Sequence, residues 1–294
     1  MPKEIEAKTV LNKTKRRDPW FLDDYTFNPY SSCAFNCLYC YIRGSKYGTN
    51  LEKTLSAKIN APEILDRQLA THAKKGRHGI IVISSATDPY LRIEEKYQIT
   101  RQALEIILKH KFPVHIITKS DLIERDFDLL EEIDKTAILP KDLSGLNRGT
   151  IISFSFSTLQ DHVAGIFEPG APPPSKRLKA VEECIQHRFL TGVSLMPLLP
   201  YISDTGEQLR HYFETFKNLN VNHIFPATIT LFGKGNTSSK TLVMNAIKKH
   251  FPELLEKYEQ FFAQSDQMPT YYQKAFKKKM QQLLKEYDLK DNIR

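Results

Sequence analysis

Short apolar runs and longer amphipathic runs alternate through the middle of the chain. "GIIVISSAT" (79–87), "PVHIITKS" (113–120), "GTIISFSFST" (149–158), "TGVSLMPLLP" (191–200) and "HIFPATITLF" (223–232) are β-branched and almost continuously apolar. Such runs predict strands buried on both faces. Apolar residues at helical spacing predict helices over 60–75, 95–110, 125–135, 175–188 and 206–219. With "DYTFNPY" (24–30) as a first strand, the order reads as six strand-then-helix units. That repetition predicts an α/β fold whose parallel sheet is covered by helices.

A partial (β/α)6 TIM-like barrel fits this pattern better than an open doubly wound sheet. Neither "GxGxxG" nor "GxxxxGK[ST]" follows any strand. Polar residues instead gather where strands end: Ser84, Ser85, Thr87 and Asp88; Thr118, Lys119 and Ser120; Ser153, Ser155 and Ser157. In β/α barrels those ends build the active site, although helix caps recruit the same residue types. The expected organisation is an N-terminal extension (1–23), the barrel (24–245) and a C-terminal helical extension (246–294).

The extension carries "YYQKAFKKK" (271–279), which has two readings. Aromatic faces with four lysines are the pairing that single-stranded nucleic-acid binding uses. Alternatively, Tyr272, Phe276 and Met280 recur at i, i+4 and i+8 and form a core stripe with solvated lysines opposite. The stripe is the reading adopted for the aromatics, with the lysines kept as phosphate contacts.

Composition narrows the setting. No apolar run approaches the roughly 20 residues that span a bilayer, so no membrane partner is expected. "MPKEIEAKTVLNKTKRRDPW" is charged from its third residue and lacks an apolar signal core, so a cytoplasmic, reducing location is expected. The net charge of +8 predicts an anionic partner, nucleic acid being the commonest. A lysine-rich soluble surface is the alternative.

Three of the four cysteines crowd into "NPYSSCAFNCLYCYIRG" (28–44) at the spacing Cys33-x3-Cys37-x2-Cys40. The fourth, Cys184, stands alone in a helical run and reads as a buried structural residue. A disulfide framework would spread even numbers of cysteines through a small secreted chain. Zinc wants four ligands, and neither a second cysteine pair nor a nearby histidine follows. Three thiolates suit an iron–sulfur cubane with one iron left open to chemistry. Inert buried thiols and zinc remain the competing readings.

CxxxCxxC after a first strand, with Tyr39 before the last cysteine, resembles the radical S-adenosylmethionine superfamily. "TDPY", "TKS", "RDFDLL" and "EPGAPPPSKRL" follow in the order of its spore photoproduct lyase-like branch, over residues 24 to about 205. The resemblance implies a [4Fe–4S] cluster on Cys33, Cys37 and Cys40, with S-adenosyl-L-methionine on the open iron. It implies cofactor contacts from Tyr39, Ser85, Lys119 and Ser155, and it sets Tyr41 beside the substrate radical as a catalytic residue. Arg177 reads as a cofactor or phosphate contact, or else as a surface charge. The implied activity is reductive cleavage to a 5′-deoxyadenosyl radical that abstracts hydrogen from substrate. A DNA photolesion is the favoured target, and the electron comes from an external reductant such as flavodoxin or ferredoxin. One departure stands out. The lyases carry a hydrogen-donating cysteine on the second strand, where this chain has Ser84. A serine O–H bond is too strong for that task. The rival class is a nucleic-acid-binding protein with a structural or redox-sensing cluster.

Overall fold

The structure is a computed structural model that describes residues 2–48, 54–84 and 86–293, with only the backbone of Tyr47. Its main sheet has the order β2 (Leu11–Lys13), β3 (Tyr25–Phe27), β6 (Ile81–Ile83), β7 (Val114–Thr118), β8 (Thr150–Phe156) and β9 (Leu190–Leu195). From β3 to β9 every pair is parallel, and β2 lies antiparallel on the outer edge. β3 and β6 to β9 fall on the expected strands, whereas β2 lies in the expected N-terminal extension, where the pattern predicts no strand. The expected sixth strand, 223–232, is held to β9 by isolated parallel bridges, Val193 to Ile224 and Leu198 to Thr228. Among the described residues no pairing joins it back to β2, so the barrel is partial.

A small sheet, absent from the sequence reading, has the order β1 (Lys3–Ile5), β5 (Ser56–Lys58) and β4 (Tyr30–Ser31). Its strands are too short and too polar to show an alternating pattern.

Helices α1 (Ala61–Lys74), α4 (Phe127–Thr136), α6 (Pro174–Gln186) and α7 (Gly206–Asn218) cover the sheet where helical spacing placed them. The run 95–110 is two helices, α2 (Glu94–Tyr97) and α3 (Ile99–Lys109), broken at Gln98 in the left-handed region (φ 50°). Buried Glu94 explains the break. Its carboxylate accepts from Thr100 N (3.0 Å) and Arg101 N (3.2 Å), so the first amides of α3 find a side chain rather than another helical turn. A short helix, α5 (Asp161–Phe167), lies between β8 and α6.

The largest apolar cluster lies between the sheet and α1, α3, α4, α6 and α7. A second joins α8 (Ser239–His250) and α9 (Leu255–Phe261) to Tyr39, Phe167 and Leu231. The last helix, α10 (Thr270–Glu286), buries Met280 and packs Phe276 on the first cluster and Tyr272 on the second. The stripe reading of its aromatics therefore holds. Beneath the strands, Trp20 stacks on Phe225 at 5.3 Å, with Phe21, Leu22 and Ile80 in the same cluster.

Candidate functional site

Register places the inward-facing side chains in layers. Ser153 pairs with Ile117 and Gly192, and Ser155 pairs with Ser194. One pleat repeat above Ile117 stands Lys119, level with Ser155, because inward positions recur every second residue. Lys119, Ser155 and Ser194 thus form the upper ring of the interior. The layer below is tightly filled: a Cβ on Gly192 would stand 2.2 Å from the His223 ring. His115 Nε2 and His223 Nε2 both bond to Ser153 Oγ, at 2.7 and 2.9 Å.

Above that floor opens a cavity of about 480 Å³, within the usual size of a ligand site. All three clustered cysteines line it, together with Tyr39, Tyr41, Lys119 and Ser155. Val82, Ile117, Met196, Pro197 and Ala227 supply apolar wall, and Phe21 reaches it from the N-terminal segment. Tyr41 is 43% exposed and stands at the opening. Ser85 lies outside the described residues. Cys184 is fully buried in α6 and does not line the cavity.

Asp88 organises the rim. Its carboxylate accepts from Tyr90 N (3.0 Å), Thr118 Oγ1 (2.8 Å) and Lys119 N (2.8 Å). It therefore orients the loop after β6 and fixes the backbone from which Lys119 projects. Burial raises its pKa above the ordinary carboxylate value against those hydrogen bonds.

The residues present suit an iron–sulfur cluster with a polar ligand beside it. Burial pushes the Cys33 thiol up to about 12, with Asp88 adding to the shift. Burial also raises Cys37, while the charge of Lys119 pulls it back. Thiols so enclosed become ligands only when a metal displaces their protons. Among the described residues no three His, Cys, Asp or Glu side chains are gathered about a single metal-ion position. A cubane asks less of them, since each thiolate meets its own iron. Three further hydroxyls lining the cavity, Ser84, Thr87 and Ser194, are buried without a hydrogen-bond partner among the described residues. Unpaired buried polar groups are rare enough to need a cause, and a ligand in the cavity supplies one. Ser84 is also held in the left-handed region (φ 71°), a strain that collects at functional sites.

Sequence reasoning missed the carboxylate behind the cysteine loop. Glu168 is buried and accepts from the Tyr39 hydroxyl, from Ser157 Oγ (2.7 Å) and from Arg177 Nη2. Burial would raise its pKa, but Lys119, Arg177 and these hydrogen bonds together hold it below the usual carboxylate range. Arg177 is neither a surface charge nor part of the cavity lining. It is fully buried, and its Nε and Nη1 donate to Pro172 O (2.8 Å) and Ser155 O (3.0 Å).

Comparison with known proteins bears on this arrangement. An uncharacterized protein of Methanocaldococcus jannaschii is 29% identical over 232 residues, 76% of this chain and 80% of that one. The radical SAM Nalpha-GlyT isomerase of Pseudomonas phage M6 is 23% identical over 252 residues, 85% of this chain and 48% of that one. Among solved structures, spore photoproduct lyase complexed with dinucleoside spore photoproduct superposes with a TM-score of 0.63 at 15% identity. That match covers 97% of this chain and 78% of the lyase, and the likeness is one of fold. The family model of the radical SAM superfamily matches residues 27–214, well over half of the length, and the chain belongs to that superfamily.

Proposed function

We propose that this radical SAM enzyme abstracts hydrogen from a nucleic-acid base, with DNA the favoured substrate, at the cavity above β6 to β9. Membership of the superfamily brings a [4Fe–4S] cluster and S-adenosylmethionine. Bound together, they supply one-electron cleavage of the sulfonium and a 5′-deoxyadenosyl radical that takes hydrogen from substrate. The observation that carries the reading is that Cys33, Cys37, Cys40, Tyr39, Tyr41, Lys119 and Ser155 all line one cavity.

In this reading the three thiolates hold the cluster. Lys119 meets the cofactor carboxylate as a charge-assisted donor, and Ser155, with Ser85, meets its hydroxyls. Tyr39 packs over the cofactor, and the apolar walls exclude water from the radical. Tyr41, at the opening, stands beside the substrate radical. The excess of positive charge supports a phosphate-bearing partner. The spore photoproduct lyase structures, several of them bound to a dinucleoside spore photoproduct, support a base as target. An external one-electron donor such as flavodoxin or ferredoxin completes the system, in a cytoplasmic setting. Among the described residues, no helix is long and apolar enough to cross a membrane.

The test is anaerobic reconstitution and reduction with S-adenosylmethionine, first alone and then with ultraviolet-irradiated DNA carrying deuterium in thymine. Formation of 5′-deoxyadenosine, with deuterium moving into it, is the expected result. Cys33→Ala, Cys37→Ala and Cys40→Ala each abolish it, whereas Cys184→Ala keeps it. Cofactor cleavage without deuterium transfer from any nucleic acid would move the substrate to another class. Loss of the cluster in Cys184→Ala with retention in Cys40→Ala would overturn the ligand assignment.

A further inference from the structure

The cysteine loop, 33–40, has no strand or helix of its own, so its shape must be imposed from outside. Two backbone bonds tie it to the end of α5 and the turn that follows: Leu38 N to Phe167 O (2.8 Å) and Gly170 N to Phe35 O (3.0 Å). The approach is close, since a Cβ on Gly170 would stand 2.3 Å from Ala34 O. Glu168 lies between these two bonds and grips Tyr39, inside the loop. Arg177 grips Glu168 from behind and also bonds the backbone of Ser155. One buried ion pair therefore joins the cysteine loop to the strand that carries a cofactor contact.

A buried ion pair is a poor source of stability, because the cost of removing both charges from water rivals their attraction. Apolar residues would hold two segments together as well. The charge itself therefore asks for a role. The carboxylate lies near enough to Cys37 and Lys119 to interact electrostatically with both. In a dry interior such a charge is weakly screened.

We infer that Glu168, held by Arg177, is a positioning residue for the cluster loop, and that its negative charge sets the field in which the cluster is reduced. The inference rests on the reading that Cys33, Cys37 and Cys40 hold the cluster. A fixed anion there opposes the arrival of an electron, so removing its charge favours reduction. The Tyr39 link acts separately, on loop geometry.

Two variants separate these effects in the reconstituted full-length protein. Glu168→Gln keeps the shape, its carbonyl turned to Arg177 and its amide to the hydroxyls of Tyr39 and Ser157, and loses the charge. Tyr39→Phe loses the link and keeps the charge. An EPR-monitored redox titration should move the Glu168→Gln midpoint to a more positive potential at parental iron content. Tyr39→Phe should keep the parental midpoint but release iron to a chelator several-fold faster. A parental midpoint in Glu168→Gln, or parental iron release in Tyr39→Phe, overturns the inference, even if both variants melt earlier as apoproteins. Tyr39→Phe touches neither charge and remains decisive if Glu168→Gln does not fold. Parental iron content in Cys37→Ala would bring down the ligand assignment, and this inference with it.

Discussion

Mild acid should destabilise the fold through the histidines under the cavity. His115 Nδ1–H donates to Phe21 O (2.8 Å) and its Nε2 accepts from Ser153, an assignment of tautomer made from the bonding pattern. Full burial depresses its pKa from 6.5 to about 4, and burial with the neighbouring His115 lowers His223 well below its ordinary value. Between those two pH values the unfolded chain binds the proton and the folded one does not. Stability therefore rises with pH across the window: the contribution of His115 is complete above about pH 6.5 and lost as pH falls to about 4. A depression of this size corresponds to about 3 kcal/mol in all, of which about 2 kcal/mol is lost between about pH 7 and about pH 5. That is a large share of the roughly 5–15 kcal/mol that holds a domain together. Urea denaturation of the apoprotein at a series of pH values reads the effect. His115→Gln should be less stable near neutrality through lost packing, yet its stability should fall less steeply with acid. The slopes should differ by up to one proton, about 1.4 kcal/mol per pH unit. Raised carboxylates such as Asp88 and Asp23 act alike in both proteins and cancel from the comparison. Parallel slopes would refute the reasoning.

Other outcomes follow from single contacts. Gly192→Ala should cost about 1–3 kcal/mol or more in denaturation, because its methyl meets a buried His223 ring with no room to move; a neutral substitution would mean that the layer yields. Lys119→Ala should weaken S-adenosylmethionine binding by about 1.5–3 kcal/mol in equilibrium titration, the worth of a charge-assisted contact; unchanged affinity would remove it from the cofactor site. Neutralising Lys277, Lys278 and Lys279 should lower the salt dependence of DNA binding, each lost phosphate contact reducing the log–log slope by about 0.7–0.9. Cofactor cleavage without substrate should persist in that variant, and a parental slope would make α10 scaffold alone.

The fold was legible where burial is uniform. β6 to β9 are covered on both faces, so their apolar runs carry the signal directly. It failed where side chains override the pattern. The helical spacing through 95–110 is real, yet Glu94 claims the amides that would have continued the first helix. The sixth strand runs along β9 with isolated bridges only, although Phe225 N and Ala227 N, on either side of Pro226, donate to Val193 O and Leu195 O (2.8 and 3.2 Å). The site was half legible. Cysteine spacing singled out Cys33, Cys37 and Cys40, and polar residues at strand ends singled out Lys119 and Ser155, all of which line the cavity. Ser194 passed as one more strand residue, since nothing in "TGVSLMP" tells an inward hydroxyl from an outward one.

The Glu168–Arg177 pair had a sequence signal that lay in the helix rather than in the proline turn. Arg177, Ala180, Val181 and Cys184 fall at i, i+3, i+4 and i+7, so Arg177 occupies the apolar stripe of α6. A guanidinium on that stripe must face the core, where an unpaired charge is prohibitively costly. It therefore requires a buried acid within reach, placed so that the chain reverses between the two. Glu168, followed at once by Pro169 and Gly170, is the acid that meets this requirement, nine residues earlier and across the turn. Reading the stripe as a constraint on charge as well as on packing leads from α6 back to the cysteine loop, because the same carboxylate holds Tyr39.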